Sequence, residues 1–412
     1  MSHVTAGEPL FWRIPGYLSK ARSRRQFFSP IQELKKKVFK LSNRICLVTK
    51  IWNSGTGWFA AALAKSGVPV EFIAPLLQPI FREPTSPNVT RIVVPRELTD
   101  SPSRYRSRAS KLRRIMSTLL AIGRQLFRSN TFLFTMPDHE IVSIPTFLML
   151  RLLGKKVILI VHDVLPHDFA LIHRKRLTRF LIGWQYRAAS VLVLLSEAGR
   201  DKLLSEFPIS ASKIHVIPHG AFGFTRQSRI PGERVLLAFG SIRKNKNLLM
   251  VIEAIKLVRA SGFDVRLLVA GGYDRANPYC LECVAAITDD NLAFINRKGF
   301  VDGAAIPELV ERSDAFILAY SDFESQSGVA VMAGVNGRPV IATFAGGIRE
   351  LKSLGLVGVE IEQPLTPSTI ASAIREFYRT PFDRWRAASE KGRFQLAYHL
   401  SWARIAQSYL RL

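Results

Sequence analysis

The 412-residue sequence has few cysteines, few acidic side chains and no long apolar segment. Its three cysteines, Cys46, Cys280 and Cys283, are too few for a disulfide framework, which favours a reducing compartment. Cys280 and Cys283 have no second cysteine or histidine pair at a suitable distance, so the sequence does not predict a zinc site. No apolar run reaches the ~18 residues of a membrane span. Charged residues also interrupt the N-terminal region, so we expect no signal peptide.

The shortage of acidic residues leaves a net charge of +26, most of it in the first half of the chain. Residues 1–220 contain 34 Lys+Arg and 13 Asp+Glu, a net charge of +21, whereas residues 221–412 have a net charge of +5. This asymmetry predicts an anionic partner for the first half, either a membrane surface or nucleic acid. A basic nucleic-acid-binding protein stays an alternative, although no helix-turn-helix, zinc-finger or RNA-binding motif accompanies the charge.

Three segments, 11–40, 104–128 and 173–187, combine the cations with apolar or aromatic side chains. That composition is typical of an interfacial anchor, and the alternative is a set of solvated basic faces. In the central segment, the arginines predicted to contact the anionic surface are Arg104, Arg106, Arg108, Arg113 and Arg114. The sequence therefore predicts a cytoplasmic protein that associates peripherally with the inner, anionic face of a membrane.

Short apolar runs alternate with helical patterns twice along the chain, which predicts an α/β protein with two doubly wound Rossmann-like domains facing a cleft. We expect a basic N-terminal extension over 1–43 and a first domain over 44–222. A linker rich in glycine, proline and polar residues follows, then a second domain over 233–380. Residues 381–412 are predicted to contain a C-terminal helix.

The segment from Asp314 to Glu350 reads as strand, loop, helix, strand and loop, with the helix over Gly328–Val335 and the second strand over Val340–Ala342. Ligands of parallel sheets bind beside the loops that follow the strands. One such loop contains Glu324. Gln326 and Ser327 precede the helix that begins at Gly328, and its unpaired N–H groups suit an anion.

Other loops that follow strands also contain candidate site residues. Gly240, Arg243 and Lys246 lie in a basic turn before a helix, which suits a diphosphate. Gly55 and Gly57 follow the first strand, although they lack the third glycine of a dinucleotide fingerprint. His162 ends another predicted strand beside Asp163, a carboxylate that could tune the imidazole.

Glu324, the Gly337-Arg338-Pro339-Val340 run and the Gly346-Gly347 pair together resemble the C-terminal signature of GT-B glycosyltransferases of family 4. The resemblance implies that Glu324 contacts the donor sugar, as does His162. A second glutamate of the signature grips the ribose, and Met332 stands at its position here. Either another polar group, for which Glu350 is the candidate, takes over this contact, or the ribose is held loosely. Lys246 matches a lysine of the family's diphosphate loop. The family arginine usually follows the glycine directly, where this chain has Ser241, so Arg243 is its substitute.

The resemblance implies a retaining glycosyltransferase that moves a sugar from a nucleotide-diphosphate sugar to a lipid-linked or cell-surface glycan acceptor. It also implies that the C-terminal helix of residues 381–412 returns to the first domain. A nucleotide-sugar epimerase of the same architecture stays an alternative. The chain has no Asp-x-Asp motif, so we expect no metal and no cofactor. The predicted catalytic residues are His162 and Glu324. The predicted diphosphate site comprises Arg243, Lys246, Gln326, Ser327 and Gly328, and the donor loops contain Gly55, Gly57, Gly240, Gly346, Gly347 and Glu350.

Overall fold

The computed structural model describes residues 44–51, 54–75, 86–97, 104–166, 169, 174–223, 229–288, 294–298 and 301–412. These residues form two compact units, each built on one parallel sheet. The predicted basic extension over 1–43, with the anchor role assigned to it, lies outside the described residues.

The N-terminal unit contains the described residues up to Gly220 together with Trp402–Leu412. Its strands, all parallel and in the sheet order β3-β2-β1-β4-β5-β6-β7, are β1 (Ile45–Val48), β2 (Val70–Pro75), β3 (Val89–Val94), β4 (Thr131–Thr135), β5 (Lys156–Val161), β6 (Val191–Leu194) and β7 (Ile214–Val216). Its helices are α1 (Ser54–Lys65), α2 (Arg104–Gln125), α3 (Glu140–Leu152), α4 (Lys175–Ala188), α5 (Glu197–Glu206) and α13 (Trp402–Leu410).

After β1 the chain continues to β2 on one side of β1, whereas after β3 it crosses to β4 on the other side of β1. Since crossovers between parallel strands are right-handed, α1 lies on one face of the sheet and α2 to α5 lie on the other. The central strands are buried on both faces, which explains why they read as continuous apolar runs.

The C-terminal unit contains the described residues from Ala221 to Ser401. Its strands, also parallel and in the order β10-β9-β8-β11-β12-β13, are β8 (Val235–Phe239), β9 (Arg266–Gly271), β10 (Phe294–Lys298), β11 (Ala315–Leu318), β12 (Val340–Ala342) and β13 (Gly358–Glu360). Its helices are α6 (Leu248–Ala260), α7 (Pro278–Thr288), α8 (Ile306–Glu311), α9 (Gly328–Val335), α10 (Gly346–Ser353), α11 (Pro367–Arg379) and α12 (Phe382–His399).

Both sheets are doubly wound α/β sheets, as the sequence predicts. Strand order reverses between β1 and β4 in the first sheet and between β8 and β11 in the second. Loops that leave the carboxyl ends of strands on either side of such a reversal separate and open a crevice, where ligands of these folds bind. The second reversal lies beside the predicted diphosphate loop and the Glu324 loop.

The C-terminal segment differs from its prediction. The sequence predicts one C-terminal helix within 381–412, but the structure has two, α12 and α13, with the break at Leu400 and Ser401. α12 belongs to the C-terminal unit, where the absence of a side chain on Gly334 allows Leu396 to pack closely against α9. The part that groups with the N-terminal unit begins at Trp402 rather than at 381.

Candidate functional site

Two loops meet at the carboxyl ends of β8 and β11: residues 240–247 and residues 319–327. The Asn247 side chain joins them, donating from Nδ2 to the Ala319 carbonyl at 2.9 Å and to Ser321 Oγ at 3.1 Å. The Ser321 N–H donates in turn to the Asn245 carbonyl at 2.9 Å. Asn247 has a φ of 51°, a left-handed conformation that asparagine adopts more readily than most residues. The predicted diphosphate loop and the predicted donor-sugar loop are therefore directly bonded to each other.

Lys246 is partly buried at this junction. Its Nζ donates to the Phe239 carbonyl at 3.4 Å and lies 5.8 Å from the centre of the Tyr320 ring. Burial, and then the charge of Arg243, lower the pKa of Lys246 to about 8. A desolvated ammonium of this kind is stabilised by a bound anion.

Gly240 makes room for this lysine. It has a φ of 94°, and a Cβ atom there would lie 3.0 Å from Lys246 Nζ. Arg243, the predicted substitute for the family arginine, is exposed and precedes the short helical turn 244–246 of the same loop. The structure thus places Gly240, Arg243 and Lys246 together.

The start of α9 adjoins this loop. Ser327 caps the helix, because its Oγ accepts a hydrogen bond from the Ala330 N–H at 3.1 Å. Gln326 and Ser327 are buried, whereas Gly328 is exposed and a Cβ atom there would meet nothing within 4 Å. The first turn of the helix is therefore open on the side of Gly328, and Val329 of this turn lies near Gly240, the glycine that borders Lys246. A helix start of this kind beside a cation suits an anion.

Gly346 and Gly347 support the loop of Glu324 from behind. A Cβ atom on Gly346 would meet the Phe323 carbonyl, and one on Gly347 would lie 2.5 Å from the Ser325 carbonyl oxygen. The Gly347 N–H also donates to the Glu324 carbonyl at 3.2 Å. These glycines begin α10, and their contacts shape the Glu324 loop, whose carboxylate-bearing residue is partly buried.

Gly347→Ala is expected to destabilise the C-terminal unit, since the new methyl group would press on the backbone of the Glu324 loop. A thermal melt should show a lower Tm, by an amount equivalent to about 1–3 kcal/mol. Gly123→Ala is the matched control, because a Cβ atom at this position in α2 meets nothing within 4 Å. It should raise stability by up to about 1 kcal/mol. Equal melting temperatures for the Gly347 variant and the wild type would contradict this packing.

Met332 lies one helical turn after Gly328 in α9, and only 8% of it is exposed. Helical side chains lean toward the N-terminus, so Met332 borders the region where the helix begins. The sequence of α9 has no acidic residue. Glu350, the predicted substitute, lies partly buried in α10. That this carboxylate takes over the ribose contact stays a prediction.

In the N-terminal unit, His162 follows β5 at the carboxyl edge of the sheet. Its Nε2 is 2.8 Å from Thr135 Oγ1 at the end of β4. Burial lowers the pKa of His162, and the Asp163 carboxylate opposes that shift. The imidazole is therefore neutral at neutral pH.

His219 is a further histidine in this region, to which the sequence interpretation assigned no role. Burial and the nearby His162 lower the pKa of His219 to about 4, and its ring centre lies 5.0 Å from that of Trp402 in α13. Its position in the Ile-Pro-His-Gly turn after β7 was the available signal. His162 and His219 thus form a pair of neutral imidazoles.

The sequence predicted that Gly55 and Gly57 lie in a loop, but the structure has them in a helix. α1 begins at Ser54, so both glycines lie in its first turn and are buried. The helix starts earlier because burial against the sheet outweighs the weak helix propensity of glycine. Their assignment to donor binding stays a prediction.

The arginines predicted on α2 divide into two kinds. Arg106, Arg108 and Arg113 are exposed, but Arg114 is 2% exposed and donates to Asp138 Oδ1 at 2.6 Å, to Asp138 Oδ2 at 3.0 Å and to Glu97 Oε2 at 3.2 Å. The prediction was therefore wrong in assigning Arg114 to a docking surface. Since a helix has 3.6 residues per turn, neighbouring side chains point about 100° apart, so Arg114 faces the sheet while Arg113 faces solvent. Among the described helices, none has the length and apolarity to cross a membrane.

Comparison with protein families gives one match in each unit. The family described as Glycosyltransferase Family 4 matches residues 59–221, and the family described as Glycosyl transferases group 1 matches residues 233–380. The lipopolysaccharide 1,2-N-acetylglucosaminetransferase of Salmonella typhimurium is 24% identical over 237 residues. That alignment covers 50% of this chain and 58% of the relative, so it spans little more than half of the relative's length.

Solved structures resemble the fold over most of the chain. Sucrose-phosphate synthase from Thermosynechococcus elongatus has a TM-score of 0.64 at 15% identity, covering 90% of this chain and 98% of its own. The Anabaena protein Alr3699/HepE, solved in complex with UDP-glucose, has a TM-score of 0.64 at 16% identity, with the same coverage. With a family-matched Rossmann-like domain in each half and this fold, the chain belongs to the GT-B glycosyltransferases.

Proposed function

We propose that this protein transfers a sugar from a nucleoside-diphosphate sugar to an acceptor, with retention of anomeric configuration. The observation that supports it most is the partly buried Lys246 ammonium beside the open start of α9, at the strand-order reversal of the second sheet. A cation and helix N–H groups together suit a diphosphate. Retention is proposed from the sequence resemblance to family 4.

In this proposal the leaving diphosphate gathers negative charge as the bond to the sugar breaks. Lys246, Arg243 and the N–H groups near Gly328 stabilise that charge without a metal ion or cofactor. Glu324 accepts hydrogen bonds from hydroxyl groups of the donor sugar, and His162 is a second proposed contact to that sugar. Such groups accelerate transfer because they interact more strongly with the transition state than with the bound donor.

The donor is identified by thermal melting with a panel of nucleoside-diphosphate sugars. A donor at 100 times its Kd should stabilise the protein by about 2.7 kcal/mol. A panel that leaves Tm unchanged at millimolar concentrations would contradict the proposal. The active donor is then incubated with and without glycan acceptors. Consumption that needs no acceptor and yields an isomeric nucleotide sugar would identify an epimerase instead.

Donor binding is expected to weaken as pH rises through about 8. Because the pKa of Lys246 is lowered to about 8, its side chain is protonated and positively charged below that pH and loses the proton and the charge above it. The bound diphosphate favours the charged form, so the Kd for nucleoside diphosphate should rise about tenfold for each pH unit above 8. Titration calorimetry from pH 7 to pH 9.5 measures this.

Lys246→Arg is the matched variant for this profile. Its guanidinium stays protonated across the whole range, so any diphosphate binding that it retains should not weaken above pH 8. A wild-type Kd that stays constant from pH 7 to pH 9.5, or a Lys246→Arg variant that follows the wild-type profile, would contradict the role of the Lys246 proton.

We also propose that the N-terminal unit docks on an anionic membrane and that the acceptor is lipid-linked or a cell-surface glycan. The name of the Salmonella relative refers to lipopolysaccharide. The basic face, as we name the exposed side chains of α2, α3 and α4, lies on one side of the first sheet. The sequences of α2 and α4 contain no Asp or Glu. A face that served only solubility would mix both signs of charge.

The basic face also exposes large apolar side chains between its cations. Tyr105 is 82% exposed in α2 and Leu152 is 87% exposed in α3. On α4 the rings of Phe180 and Trp184 are exposed and lie 6.2 Å apart, next to Lys175, Arg176 and Arg179. Cations attract the lipid headgroups, and the apolar side chains enter the interface.

Vesicle co-sedimentation tests this docking. Wild-type protein should bind vesicles more tightly as their anionic-lipid fraction rises, and high salt should release it. Replacing Arg108, Lys111 and Arg113 by glutamine should weaken binding at least about tenfold, since each cation near the surface contributes about 1 kcal/mol. The control replaces three exposed lysines of the C-terminal unit, Lys256, Lys352 and Lys391, by glutamine. Equal binding to neutral and anionic vesicles would contradict the electrostatic docking.

A further inference from the structure

Thr135 ends β4, beside the strand that leads into His162. It pairs with Ile160 of β5, and paired residues of neighbouring parallel strands point to the same face of the sheet. Because side chains alternate along a strand, His162, two residues after Ile160, returns to that face. The register of β4 and β5 therefore brings Thr135 and His162 together.

Thr135 has a defined position in this sheet. It is 6% exposed, and its branched Cβ restricts the rotation of the side chain. The backbone is held on both sides of it, since Phe134 before it pairs with Val48 of β1. After it, the Met136 carbonyl accepts a hydrogen bond from the Lys50 N–H at 3.2 Å. The Thr135 hydroxyl is therefore a rigid partner for the side chain that meets it.

The hydrogen bond between Thr135 Oγ1 and His162 Nε2, 2.8 Å long, has one direction that satisfies both groups. Burial lowers the pKa of His162, so its neutral ring carries one proton and has one accepting nitrogen. A buried hydroxyl needs an acceptor for its proton, and among the residues that the structure describes His162 Nε2 is the partner of Thr135 Oγ1. The threonine therefore donates and Nε2 accepts, which places the imidazole proton on Nδ1.

We infer that Thr135 is a positioning residue for His162: its hydroxyl donates to Nε2, fixes the orientation of the imidazole and keeps the ring proton on Nδ1. This inference rests on the proposed function, in which His162 contacts the donor sugar. A rotated ring or the other tautomer would present a different pattern of donor and acceptor to the hydroxyl groups of that sugar. Thr135 acts through His162 and does not itself contact the donor.

Nitrogen NMR of the full-length chain with isotope-labelled histidine measures the tautomer directly and needs no ligand. The His162→Ala variant identifies the His162 signals by their loss. Near neutral pH the wild type should show Nδ1 protonated and Nε2 unprotonated. Thr135→Val removes the hydroxyl and keeps a branched side chain, so the ring should populate both tautomers, whereas Thr135→Ser keeps a hydroxyl and should show the wild-type pattern. Wild-type His162 with its proton on Nε2 would overturn the inference.

The effect on transfer is measured as release of nucleoside diphosphate from UDP-glucose, GDP-glucose and ADP-glucose, used as probe donors. Thr135→Val should lower kcat for the active probe about fivefold to tenfold. The Kd for the corresponding nucleoside diphosphate should stay unchanged, because Thr135 belongs to the N-terminal unit and the proposed diphosphate site to the C-terminal unit. Thr135→Ser should restore most of the rate.

A double-mutant cycle with His162→Ala separates positioning from a general structural effect. If Thr135 acts through His162, adding Thr135→Val to His162→Ala should cause no further loss of kcat. Additive losses would overturn the inference. Thr146→Val is the matched control, since Thr146 is another buried threonine of this unit and its hydroxyl donates to the Val142 carbonyl of its own helix at 2.7 Å. This control should keep the wild-type kcat and the wild-type His162 signals.

The two proposals fail in different ways. Wild-type protein that binds no nucleoside diphosphate would overturn the proposed function and, with it, the role of Thr135 in transfer. Wild-type turnover that Thr135→Val leaves unchanged would overturn the role of Thr135 alone. If none of the three probe donors is turned over, the tautomer of wild-type His162 still decides the inference.

Discussion

Lys246→Ala should lower kcat at least about a hundredfold. Removing one group that stabilises developing negative charge typically costs about 2.7–4 kcal/mol in the transition state. Lys246 is suited to that role because its ammonium is partly buried, has a pKa lowered to about 8 and adjoins the start of α9. Steady-state transfer assays with the identified donor and acceptor measure the loss.

The Lys246→Ala variant should stay folded. The wild-type protein keeps a desolvated charge at this position, and alanine removes that unfavourable burial, so Tm should hold or rise. Glu324→Ala should also lose activity, through its contact to the donor sugar. Lys256→Ala, at an exposed position of α6, is the control and should keep the wild-type rate. Full transfer rates in both the Lys246→Ala and the Glu324→Ala variant would show that the site lies elsewhere.

Arg114→Gln should destabilise the N-terminal unit by about 3–5 kcal/mol, the usual cost of removing one partner from a buried ion pair. Arg114 bridges α2 to the loops after β3 and β4 through Glu97 and Asp138. Without the guanidinium, two carboxylates stay close together, and that of Asp138 is largely enclosed. The Tm of the unit should fall by roughly 10 °C.

Arg113→Gln is the matched control, because it changes the exposed neighbour on the same helix and should move Tm by little. Adding Asp138→Asn to Arg114→Gln removes one of the stranded charges and should restore part of the lost stability. An Arg114→Gln variant that melts like the wild type would contradict the buried ion pair. Lipid binding of the folded fraction should be the same for Arg114→Gln as for wild type, since Arg114 is not on the basic face.

The sequence alone determined the local elements and their order. Strands buried in a parallel sheet read as apolar runs, and glycine and proline mark where helices end. The helix over Gly328–Val335 and the strand over Val340–Ala342 have the predicted bounds. Because loops that follow parallel strands share one sheet edge, the sequence also indicated that Lys246 and Glu324 belong to one region.

Only the tertiary structure decided which side chains meet, because contacts between distant segments depend on strand order and packing. Strand order places β8 next to β11, and the Asn247 side chain joins the loops that follow these two strands. Two acidic partners from separate loops bury Arg114, which a helical pattern cannot distinguish from its exposed neighbours. Burial outweighs helix propensity at Gly55 and Gly57, and packing on different units divides the C-terminal helix at Leu400 and Ser401.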